Sequence, residues 1–152
     1  MGDNTVDEDE VYAAFERAGA DGDVFVQGAP QARVLLKVTP KRLYVLVDGE
    51  PAGKAISGVF SDAIRAGKIN YSLSALVDLT LFTGSVDWDH IAAVSKMAPW
   101  GKDGTSIVAY VVRSNIFHNL IKIAATMFPD TKQQSFLDRA EAEAWLAASD
   151  RA

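Results

Sequence analysis

The side chains able to do chemistry are few in this 152-residue sequence, and their spacing assembles no reaction centre. Cysteine is absent, which removes thiol nucleophiles, zinc thiolates and disulfides together and fits a reducing compartment. The two histidines, His90 and His118, lack the histidine or carboxylate four residues away that builds a helical metal site, and both read as surface residues. No Gly-x-Ser-x-Gly elbow or Gly-x-Gly-x-x-Gly fingerprint occurs. The run Gly49-x-x-x-Gly53-Lys54-Ala55 is one residue short of a phosphate loop, and Ala55 lacks the hydroxyl that would hold magnesium. The expectation is therefore a protein with no catalytic residues, no cofactor and no metal. Thr83 and Ser85 stand where a loop feeds a helix N-terminus, and two readings apply to them. Ser85 is a cap that satisfies backbone N–H groups, or the pair is a phosphorylation site or anion contact.

The elements that would position these residues follow from periodicity. Val11, Ala14, Phe15 and Ala18 recur at helical spacing behind an acidic first turn, so 7–18 is read either as a loosely held extension, the favoured reading, or as a short helix. Val24–Gln27 adds a short strand before Gly28, Ala29 and Pro30. Val34–Val38 and Leu43–Val47, joined by Thr39-Pro-Lys-Arg42, read as an antiparallel hairpin. One-sided apolar spacing from Ile56 to Ile64 predicts a helix ending near Gly67, followed by a buried strand at Ala75–Leu79. A second helix carries Trp88, Ile91, Val94 and Ala98. Ile107–Val112 reads as a central strand, and Ser114 starts a third helix that runs to Phe128. Gln133–Phe136 is a polar edge strand, and Asp138 with Glu141 has capping-box spacing for a last helix. The order is ββαβαβαβα, an α/β mixed sheet flanked by helices.

Charge divides the chain. Residues 1–23 hold eight acidic side chains against Arg17 alone, a charge of −7, so the rest carries +2 of the total −5. The expected organisation is an acidic N-terminal extension at 1–23, one domain at 24–149 and a tail at 150–152. The hydrophobic content of 49% is enough for a sizeable core. No basic stripe with interleaved aromatics is present, which argues against nucleic acid. Nor does any stretch reach the roughly 18 apolar residues of a membrane span or form a secretory signal, so a cytoplasmic protein is expected.

Three stretches resemble the SpoIIAA-like branch of the STAS family. Ala75-Leu-Val-Asp-Leu-Thr80, continuing to Phe82 and Thr83, resembles the family's strand ending in Asp-Leu-Ser/Thr before a functional loop. Ile107-Val-Ala-Tyr-Val-Val112 running into Ser114-Asn-Ile-Phe117 resembles the fourth strand and following helix. Phe136 followed by Glu141-Ala-Glu-Ala-Trp-Leu146 is similar to the closing Phe and Ala-Trp-Leu helix. The resemblance spans 32–147 and implies a STAS-like sheet, related in architecture to CRAL-TRIO lipid carriers, that holds a hydrophobic ligand or associates with membranes. Thr83-Gly-Ser-Val-Asp-Trp88 departs from the family's Asp-Ser-Ser-Gly loop, in which a phosphorylated serine releases a partner.

The third helix carries the strongest signal for a ligand. At about 100° per residue, Ile116, Phe117, Leu120, Ile121, Ile123, Ala124, Met127 and Phe128 fill an arc of roughly 160°, wider than a sheet-covering helix needs. The surplus is assigned to core packing, to an apolar small molecule or lipid, to a membrane surface, or to a homo-oligomer partner. Trp88 and Trp100, beside Lys96 and Lys102, are read as core caps or as residues that dip into a membrane interface. Pro99–Gly104 is the candidate lid. The leading expectation is an apolar-ligand-binding domain with Phe117, Leu120, Ile121, Met127, Phe128, Trp88 and Trp100 at the site, cytoplasmic or peripheral at the membrane. The alternative is a protein-interaction module of the anti-sigma-factor-antagonist type controlled at Thr83–Ser85.

Overall fold

The computed structural model describes residues 7–67, 74–83, 107–114, 122 and 132–150. Among them are six strands, β1 (Asp23–Ala29), β2 (Ala32–Val38), β3 (Arg42–Asp48), β4 (Ser74–Asp78), β5 (Ile107–Val111) and β6 (Lys132–Phe136). Three helices accompany them, α1 (Glu8–Arg17), α2 (Gly53–Arg65) and α3 (Arg139–Asp150). The strands lie side by side in chain order. The first two junctions, β1–β2 and β2–β3, are antiparallel, and the three that follow are parallel.

Period-two alternation decides which face each residue serves. Val34, Leu36 and Val38 on β2, Leu43, Val45 and Val47 on β3, Ala75 on β4 and Val108 on β5 point to one side and share a cluster with Val59, Phe60 and Ala63 of α2, which packs on the β1 and β2 end. On the other side Leu35 and Leu46 receive Phe15 of α1, while Leu76, Ala109 and Val111 receive Ala142 and Leu146 of α3. Tyr44 touches both of these clusters. Burial of each such Val or Leu contributes about 1.5–3 kcal/mol before the entropy of ordering is charged against it.

The expected hairpin forms, and Thr39 closes it: its amide donates to Arg42 O at 3.0 Å, and its Oγ1 accepts from Arg42 N at 3.0 Å. The stretch expected as a short strand at Val24–Gln27 is a full partner of β2 from Asp23 to Ala29. The antiparallel part of the sheet therefore has three strands rather than two. Ile107–Val111 is buried on both faces as expected, yet it lies one strand from the edge; consecutive parallel additions put β3 and β4 in the middle. The polar strand at Lys132–Phe136 is an edge of the sheet formed by the described strands. The second and third helices of the sequence reading lie outside the described residues.

Helix α1 forms where acidic residues meet the positive end of the helix dipole. Asp7 Oδ1 accepts from Asp9 N at 3.1 Å and Glu10 N at 3.3 Å, and Glu8, Asp9 and Glu10 fill the first turn. Its other end is held by a lysine from the sheet. Lys37, 4% exposed on β2, donates from Nζ to Phe15 O at 2.5 Å, Ala18 O at 2.9 Å and Glu16 O at 3.1 Å. Three donors thus meet carbonyls that the helix cannot satisfy itself. The same ammonium lies 4.7 Å from the Phe15 ring centroid. Burial pushes the Lys37 ammonium below its usual value, and the charge of Glu16 opposes that shift. Substituting Lys37→Met should lower unfolding stability by about 2 kcal/mol. Amide exchange in 8–17 should rise before any other helix, as read by urea denaturation and hydrogen-exchange mass spectrometry.

Candidate functional site

In a sheet with parallel strands, ligands gather outside the carboxyl ends. Here that edge is built from the ends of β3, β4, β5 and β6. Past Asp48, Gly49 adopts φ +70° and bridges to Phe82. Its N–H donates to Leu81 O and its carbonyl accepts from Thr83 N, both at 3.0 Å. A Cβ on Gly49 would collide with the Gln31 carbonyl, so the crossing requires glycine. Leu79 N donates to Val111 O and Val112 N to Phe136 O, each at 2.8 Å, which extends the parallel pairing past the strand ends.

Two carboxylates at this edge point to the α1 and α3 side, and both are engaged. Asp48 accepts from Tyr12 Oη at 2.5 Å, and Arg33 Nε donates to the same phenol oxygen at 3.1 Å, with its guanidinium 5.1 Å from the Tyr12 ring centroid. Burial first, and then Asp48, raise the Tyr12 phenol above its ordinary value, while Arg33 pulls it down. A phenol raised in this way keeps its proton as a donor to Asp48, and the trio fastens α1 to the sheet. Asp78, 3% exposed, accepts from Thr80 N at 2.9 Å, Thr80 Oγ1 at 2.5 Å and Arg139 Nη1 at 3.2 Å. Arg139 Nε reaches Glu143 at 3.4 Å, and its Nη2 is buried with no hydrogen-bond partner among the described residues. The Asp-Leu-Thr segment is thus a lock between the end of β4 and the start of α3. Removing one partner of a buried pair strands the other's charge, so Asp78→Ala should cost about 3 kcal/mol, against less for Thr80→Ala, in chemical denaturation.

A concavity lies elsewhere, between β1 and α2. It has a volume of about 610 Å³ and is lined in part by Gln27, Gly28, Lys54, Gly58, Ser61 and Asp62. Gln27 Nε2 donates to Asp62 Oδ2 at 2.8 Å, and Arg65 Nη2 pairs with Asp62 Oδ1 at 2.5 Å. These two donors, Gln27 first, hold the Asp62 carboxyl below its ordinary value of 3.8. A carboxyl depressed on folding adds stability above its unfolded value and loses it as pH falls through the folded one. Asp62→Asn should therefore leave a thermal midpoint that falls less steeply below pH 4 than the parent's.

Among the sequence-derived site residues, Thr83 is described: its side chain is exposed while its amide is pinned to Gly49. Ser85, Trp88, Trp100, Phe117, Leu120, Ile121, Met127 and Phe128 lie outside the described residues, as do His90, His118 and Pro99–Gly104. The closing motif is assembled in full. Phe136 and Trp145 rings sit 5.7 Å apart, Leu146 is fully buried, and Asp138 Oδ1 accepts from Ala140 N at 2.9 Å. Sequence reasoning missed Lys37, Arg33 with Tyr12, and the pairing of Asp78 with Arg139. Lys37 was signalled by its place inside Val34-Leu-Leu-Lys-Val38, where a charge amid apolar neighbours implies a buried partner. Among the described residues no three His, Asp or Glu side chains converge as metal ligands.

A three-strand antiparallel ribbon continued by parallel strands, with helices on both faces, defines a small mixed α/β domain. The chain is similar to the crystal structure of an uncharacterized protein from the DUF3478 family with a SpoIIAA-like fold, from Shewanella loihica PV-4. It aligns with a TM-score of 0.54 and 18% identity, over 82% of this chain and 93% of that one. The fold is SpoIIAA-like, as the three sequence stretches implied. No family model matches the sequence, and no curated protein does.

Proposed function

We propose that this chain is a non-catalytic binding domain that holds an apolar small molecule or acyl chain against the sheet. Phe117, Leu120, Ile121, Met127 and Phe128 supply the apolar surface, and Trp88 and Trp100 flank it. The supporting observation is on the α2 side of the sheet. There α2 packs on β1 and β2, whereas Val77, Leu79 and Tyr110 further along are apolar and only partly buried. Together with the 160° apolar arc of 116–128, they offer more apolar surface than α2 covers. The Tyr110 phenol donates to Gln133 Oε1 at 2.8 Å, which sets a polar pair at the margin of that surface. No helix among the described residues is long and apolar enough to cross a membrane. Contact with lipid is accordingly read as ligand binding or as peripheral association. Native mass spectrometry of the purified protein should show a bound species that organic extraction releases. Phe117→Ser with Met127→Ser should abolish both that species and the thermal shift given by long-chain fatty acids. A clean apo mass with no shift in the parent protein would overturn the reading.

A second reading rests on Thr83. The residue is exposed, and its backbone is bonded to Gly49, so it is presented on a held edge as a modifiable group in a regulatory interaction module would be. This reading expects phosphate on Thr83 or Ser85 in protein isolated from cells. It also expects a protein partner that the parent retains and Thr83→Asp or Ser85→Asp loses; equal retention by all three would remove its basis.

A further inference from the structure

We propose that two copies of this chain join through β1, edge to edge and antiparallel, and continue the sheet across a two-fold axis. β2 pairs with one side of β1, and no described strand pairs with the other. Alternate residues of such a strand aim N–H and C=O groups outward. Edges that stay solvated are usually blunted by lysine or proline. Asp23–Ala29 contains neither, whereas the opposite edge, β6, opens on Lys132 and continues with Gln133, Gln134 and Ser135. Val24 and Val26 are 50% and 47% exposed and, two residues apart, share the α1 side of the sheet. Valines on a strand edge look for a neighbouring strand.

A second copy fits that position because the strand is symmetric about Phe25, reading Val24-Phe25-Val26. Antiparallel pairing centred there sets Val24 opposite the partner's Val26 and Phe25 opposite the partner's Phe25. Asp23 stands opposite the partner's Gln27, so no acid meets an acid. Four valines close over one another on one face, in the β-branched cross-strand pairs that stabilise sheets. The other face agrees. α2 returns the chain between parallel strands β3 and β4, and β1 runs the same way as β3, so α2 is antiparallel to β1. The Gln27 to Asp62 bond holds the last turns of α2 over this stretch. Two-fold pairing places the two α2 helices antiparallel and about two strand spacings apart, roughly 10 Å, the distance at which helices pack.

Light scattering over a concentration series is the first test, with an expected mass twice the 16.4 kDa of one chain. Val24→Lys with Val26→Lys should give a monomer with the parent's circular dichroism. Because the chain has no cysteine, the register can be tested by mixing separately made Val24→Cys and Val26→Cys proteins under mild oxidation. The mixture should cross-link several-fold faster than either variant alone. A monomeric parent at every concentration would overturn the proposal. So would a dimer whose mixed cysteine variants cross-link no faster than the single ones, since that dimer uses another surface. If the lysine pair fails to fold, the cysteine mixture still decides.

Discussion

One buried ammonium ties the beginning of the chain to its core. Lys37 sits in the most apolar part of β2, and its three donors are all used on carbonyls at the end of α1. Taking a charge out of water costs several kcal/mol unless every donor is satisfied, and here every donor is. The cost is offset only while α1 is docked, so helix and sheet depend on each other. With α1 in place, Phe15 covers Leu35 and Leu46, and Tyr12 reaches Asp48. The acidic segment is thus fixed to the sheet by a cation at its C-terminal end, while its own carboxylates serve its N-terminal end.

A similar economy governs the carboxyl edge. Asp48 and Asp78 are acids placed where an α/β sheet commonly offers its reactive groups, yet each is consumed internally, one by Tyr12 and the other by Thr80 and Arg139. Their geometry stiffens the turns after β3 and β4. Thr83 inherits that stiffness through Gly49, which bonds to the chain on both sides of Phe82.

Much of this fold was legible in the sequence, because the Val-, Leu- and Tyr-rich runs at 34–38 and 43–47, the turn between them and the helical spacing in 56–64 depend on local pattern alone. The Phe136 and Trp145-Leu146 pair was legible for a different reason: a bulky motif that closes a sheet recurs as a unit. What stayed hidden was pairing across distance. Nothing local announces that Arg139 finds Asp78, 61 residues earlier, or that Lys37 caps a helix 19 to 22 residues before it. The extent of β1 was hidden too, since Gly28 and Ala29 carry little strand propensity and are held in register by Arg33 and Ala32 opposite them. The groove between β1 and α2 was not foreseen, because its lining is largely glycine and alanine, which mark no periodicity.

The order of strands carries a consequence for how the molecule is made. Each described strand lies beside the one before it, so none of the six has to be inserted between two that are already paired. A chain emerging from the ribosome can extend the sheet in one direction, beginning with the antiparallel ribbon Asp23–Asp48, whose contacts are local and quick to close. Assembly then proceeds by growth at a single edge, and that growing edge ends in β6, the polar strand that stops it.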